Sequence, residues 1–179
     1  NNKKIILMKK QILVSLAAVL FAVLSVRAQE TNEEVVGRFE IEQIVLTKVV
    51  ALADHFWNEL ENDGKLSELT ATLLPDQKHV YIGTTVKGNS KKISCVGLIA
   101  LLHEGKVYVL NGKSTLAKSM DMNGLGSPTI SCKGDACTAC AVSFTDTYPF
   151  VKCDCTTPDC PDCNCNMNMI VTMDVEIFE

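Results

Sequence analysis

Eight of the nine cysteines lie between Cys132 and Cys165, in the stretch CKGDACTACAVSFTDTYPFVKCDCTTPDCPDCNC. A thiol can be oxidised to a disulfide, ligate a soft metal as thiolate, or exchange with another disulfide, so spacing has to rank three chemistries. The pattern Cys-x4-Cys-x2-Cys occurs twice, as Cys132, Cys137, Cys140 and as Cys155, Cys160, Cys163, with Cys153 and Cys165 flanking the second copy. Spacing this regular points to cross-linking. An even set of cysteines in a short exported segment favours disulfides, each closed loop contributing about 2–4 kcal/mol. Cys153 and Cys155 stand two residues apart, as do Cys163 and Cys165. In extended chain such a pair shares one face, and a bridge within it is strained, so each sulfur is expected to pair elsewhere.

The same thiols can hold metal. Cys-x-x-Cys and Cys-x-Cys both aim sulfurs at a common point, and eight thiolates furnish two tetrahedral all-sulfur sites for zinc or a copper(I) cluster. Asp135, Asp154, Asp159 and Asp162 add harder oxygen ligands, although Asp residues around Pro158 and Pro161 serve turns equally well. A metal-thiolate protein binding or buffering zinc or copper is thus the second reading, behind a stapled module, because an exported chain meets oxidants before it folds.

Redox chemistry is the third. Ser131-Cys132-Lys133-Gly134-Asp135-Ala136-Cys137-Thr138-Ala139-Cys140-Ala141 resembles the cluster loop of plant-type 2Fe–2S ferredoxins over residues 128–142. That resemblance implies iron on Cys132, Cys137 and Cys140, with Cys163 or Cys165 as fourth ligand. Cys160-Pro161-Asp162-Cys163 is similar to the Cys-Pro-x-Cys of exported thiol oxidoreductases, which implies thiol–disulfide exchange.

The compartment follows from the N-terminus. Met8-Lys9-Lys10 precedes an apolar run over 12–26, and Val26 and Ala28 suit the −3 and −1 sites of a cleavage point. The run is shorter than the roughly 20 residues a membrane span needs. Residues 8–28 therefore read as a secretory signal peptide cut after Ala28, and residues 1–7 as an untranslated leader. The product is expected in a periplasm or outside the cell, with no membrane association after cleavage. Removing Lys3, Lys4, Lys9, Lys10 and Arg27 from the 17 Lys and Arg leaves 12 against 21 Asp and Glu, a net charge of −9. So acidic a domain repels phosphate backbones, which argues against nucleic acid as a partner. An unknown protein or surface ligand remains.

These cysteines need elements to hold them, and residues 29–179 are long enough for one α+β domain that includes the cysteine-rich segment 128–166. Thr31-Asn32-Glu33-Glu34 has the form of a capping box. Beyond it Ile41, Ile44, Val45, Val49, Leu52, Phe56 and Leu60 recur at three- and four-residue steps, which predicts an N-terminal amphipathic helix starting near Arg38 and ending at Asn62-Asp63-Gly64. The period then falls to two. Strands are predicted at 66–74, 79–86, 93–102 and 106–110, separated by turns at 75–77, 87–90, 103–105 and 111–112, an antiparallel meander on which the helix packs. The nearly unbroken apolar run 93–102 reads as a central strand covered on both faces. The cysteine segment is a long aperiodic excursion held by its own cross-links, and 167–178 is a final returning strand. Cys95, alone in the central strand, reads as a free buried thiol, and His55, His79 and His103 share no ligand spacing. No nucleophile–base pair stands out. The expected function is a non-catalytic binding or structural module without a cofactor.

Overall fold

Alternation of period two governs most of the folded chain. A computed structural model describes residues 33–119, 126–135, 137, 139–156 and 164–171. Its elements are β1 (Glu33–Glu40), β2 (Gln43–Leu46), α1 (Val49–Glu59), β3 (Lys65–Leu66), β4 (Thr70–Leu73), β5 (His79–Lys87), β6 (Ile93–His103), β7 (Lys106–Leu110), α2 (Thr115–Ser119), β8 (Pro128–Asp135), β9 (Cys140–Phe144), β10 (Val151–Cys155) and β11 (Asn164–Val171). Among the described residues nine strands form one sheet, while β9 and β10 form a separate two-stranded sheet.

β6 is the hub. Along one edge it pairs antiparallel with β5, from Thr85 opposite Cys95 to His79 opposite Leu101. Its other edge is shared: Ile93 to Leu98 meet β8, and Leu101 to His103 meet β7. β8 carries β11 on its far side, and β7 carries β1 and then β2. The consecutive strands β4 to β7 are joined as the predicted meander, except that the strand expected at 66–74 is split into β3 and β4, and Glu104 and Gly105 are both at positive φ in the β6–β7 turn. Alternate residues of β6 are buried on opposite faces of the sheet. Val96, Leu98 and Ala100 pack with Leu52 and Phe56 of α1 and with Leu60 just past its end. Ile99 and Leu101 pack with Tyr81, Ile130, Phe150 and Val151, and Cys95 packs with Cys132, Cys137 and Cys140.

The N-terminal helix is corrected. Residues 33–46 are a hairpin, with Gly37 opposite Leu46 and Glu40 opposite Gln43, and helix begins only at Val49. Ile41, assigned above to a helical stripe, sits 94% exposed at the hairpin turn, where Ile41 and Glu42 adopt φ of 45° and 64°. A β-branched residue at positive φ is disfavoured, so this turn carries no Asn-Gly style signal in the sequence. Gly37 does not weaken a helix. A Cβ there would lie 2.7 Å from the Val45 carbonyl oxygen, so the close pairing of β1 with β2 needs glycine.

The cysteine segment is corrected as well. It is more ordered than the sequence suggests, since 128–135 and 164–171 are strands of the main sheet and 140–155 is a hairpin. Residues 1–28, Cys160, Cys163 and the end of the expected last strand lie outside the described residues. No helix among the described residues is long and apolar enough to cross a membrane.

Candidate functional site

Three disulfides clamp the β9–β10 hairpin onto the sheet face away from α1, tying it to β8, to the β8–β9 connection and to β11. In β10 the two-residue step puts Cys153 and Cys155 on one face, and the register sets Cys140 directly opposite Cys155. One face of the hairpin thereby presents three sulfurs. Cys153 bonds Cys132 of β8, Cys155 bonds Cys137 of the β8–β9 connection, and Cys140 bonds Cys165 of β11, with Cα separations of 5.6, 6.0 and 5.9 Å. Cys153 and Cys155 each bond a distant sulfur. The loops closed span 21, 18 and 25 residues, long enough for each bridge to contribute about 3 kcal/mol by restricting the unfolded chain. Three disulfides belong to an oxidising compartment. In this state Cys132, Cys137 and Cys140 are bonded to sulfur, so they are not the thiolates that the iron–sulfur resemblance requires.

Hydrogen bonds finish the clamp. Thr156 donates to the Ala139 carbonyl from both backbone N–H and Oγ1, at 3.0 and 2.8 Å. Ser143 Oγ donates to Asp154 Oδ2 across the hairpin at 2.5 Å, and that bond is the main reason the Asp154 carboxyl is held below its ordinary range. At the hairpin tip Phe150 stacks on the buried His79 ring with centroids 4.2 Å apart, and His79 Nδ1 bonds the Asp76 carboxylate. His79 Nε2 and Tyr148 Oη are buried without a hydrogen-bond partner among the described residues.

Cys95 lies opposite Cys132 in the β6–β8 register, buried and outside any disulfide. Burial pushes its thiol up to about 11, which keeps it protonated and a poor nucleophile at neutral pH. The histidines are dispersed. His55, on α1, bonds Thr129 Oγ1 of β8 through Nε2 at 2.9 Å on the opposite face of the sheet, and burial lowers it to about 4. A neutral imidazole buried on the sheet-facing side of α1 braces the core. Among the described residues, the sulfurs of Cys137, Cys140 and Cys165 lie within 4.8 Å of one another, a set that could ligate only with its two bridges reduced.

Between the hairpin and the β4–β5–β6 face lies a cleft of about 450 Å³, lined by Ser67, Glu68, Thr70 and Thr72, by Tyr81, Gly83, Thr84, Thr85 and Cys95, and by Cys140, Ala141, Val142 and Phe144 of β9. Gly83 and Gly97 are cross-strand partners, and a Cβ on either would fall within 2.6 Å of the Tyr81 ring. Two glycines side by side make a trough in which that ring lies. Burial pushes the Tyr81 phenol up, so it stays neutral. Sequence reasoning missed this cleft. Its one available signal was glycine inside two predicted strands, a mark of close approach by another group.

The disulfide clamp and the cleft beside it form the candidate site, and comparison of the chain with protein-family models, with curated proteins and with solved structures found no match.

Proposed function

We propose that this protein is an exported, non-catalytic binding module that presents the cleft beside its disulfide-clamped hairpin to a ligand in a periplasm or outside the cell. The carrying observation is that three bridges lash the hairpin over the sheet, so that one cleft wall is fixed covalently. Such a wall keeps its shape before ligand arrives, which reduces the ordering cost of binding. The short apolar run and small residues of 8–28 support export with cleavage after Ala28, and the acidity of the remainder supports a partner other than nucleic acid. The absence of catalysis is inferred from the buried, raised thiol of Cys95 and the sealed His55.

A second reading rests on the three sulfurs of Cys137, Cys140 and Cys165. Reduced, they offer a soft thiolate set for zinc or copper(I), at the expense of the Cys137–Cys155 and Cys140–Cys165 bridges. Intact mass separates the two. Protein exported without added metal should lose about 2 Da per bridge and carry no adduct. A mass that shows those two bridges reduced and carries zinc or copper that acid removes would overturn the module and leave the metal reading.

A further inference from the structure

The walls of the cleft differ in chemistry. On the hairpin side stand Val142 and Phe144, a ring 39% exposed whose centroid lies 5.8 Å from that of Tyr81. The opposite wall is rich in hydroxyls, but most are already engaged within the protein. Thr70 Oγ1 donates to the Gly83 carbonyl at 3.2 Å, Thr84 Oγ1 to the Ser67 carbonyl at 2.9 Å, and Thr85 Oγ1 to Ser67 Oγ at 2.8 Å. Half of the wall's hydroxyls thus donate their hydrogen inside the protein, which leaves fewer donors for a polyol. Glu68 stands in the lining as its single charged side chain, with no lysine, arginine or histidine among the described residues there.

Charge and shape then select a ligand class. Aromatic faces carry negative quadrupole density and attract a cation lying over them, and a carboxylate at the rim adds to that pull while repelling anions. The volume suits a body of one or two fused rings. We propose that the cleft binds a small organic cation with a planar apolar body, its ring against Phe144 and Tyr81 and its ammonium toward Glu68. This assignment rests on the binding-module reading and adds the chemistry of its ligand.

Three indoles of similar size test it: tryptamine as the cation, tryptophol as the neutral analogue and indole-3-acetate as the anion. Each is titrated calorimetrically into the exported full chain, after its mass has established the disulfides. Tryptamine should bind about fivefold tighter than tryptophol, a factor set by one exposed carboxylate, and indole-3-acetate weakest. Glu68→Gln should bring tryptamine level with tryptophol. Phe144→Ala, at a half-exposed position, should weaken all three by about tenfold. Equal affinity for the three indoles, preference for the anion, or no heat from any of them overturns the assignment while the module reading stands. Clustered thiols found free in the exported chain overturn both.

Discussion

The two faces of the sheet are held by different physics. Beneath α1, Leu52, Phe56 and Leu60 bury fully against Val80, Ile82, Leu98 and Ala100, and no bridge is present among the described residues there. Across the sheet, the sulfur cluster of Cys95, Cys132, Cys137 and Cys140 occupies the place that large apolar side chains fill elsewhere. A two-stranded hairpin is marginal alone, and β9–β10 contributes few buried apolar residues, chiefly Val151 with Phe150 at its tip. Where sequence periodicity supplies an apolar stripe, burial suffices. Where it does not, covalent bonds replace it.

That contrast can be broken from either side, and reduction should have the largest effect. With about 3 kcal/mol at stake per bridge, reductant should release residues 140–155 to hydrogen exchange while amides of β5 and α1 keep most of their protection. Equal loss of protection on both faces would contradict a division of labour. Next comes Phe56→Ala in the oxidised protein, expected to cost about 4 kcal/mol in urea unfolding with the disulfides unchanged.

Acid should act on the helix side. The folded His55 titrates near 4 against an ordinary 6.5, so the unfolded chain binds the extra proton as pH falls. Stability is then full above pH 6.5 and declines through the window down to about 4, by about 3 kcal/mol at most. Asp63 and Asp154, held low by hydrogen bonds from Ser90 and Ser143, act only below their ordinary 3.8. Glu59 is raised by burial and works in the opposite sense, so comparison with His55→Gln isolates the histidine. A melting curve of that variant no flatter between pH 7 and pH 4 would contradict the assignment. The smallest effect belongs to the trough: Gly97→Ala pushes against the Tyr81 ring and should cost about 2 kcal/mol, with Tyr81 displaced into the cleft.

Legibility in the sequence follows the same division. The strands from 79 to 110 and their turns were readable because Gly88, Gly105 and Gly112 punctuate alternating apolar runs. The face-sharing of Cys153 and Cys155 was readable too, because a two-residue step has one geometric meaning in a strand. The β1–β2 hairpin was not. Ile41, Ile44 and Val45 also satisfy a helical step, and the turn places isoleucine where Asn or Gly would have signalled it. Nor was the cleft, since Tyr81 and Phe144 lie 63 positions apart in the chain and meet only in the folded structure.

Disulfide mapping of the exported protein tests the central claim most directly. Unreduced peptides should contain Cys132 joined to Cys153, Cys137 to Cys155 and Cys140 to Cys165, with Cys95 alkylated only after unfolding. Rapid alkylation of those six cysteines in the native protein, or their protection by a metal that a chelator strips, would contradict a covalent clamp.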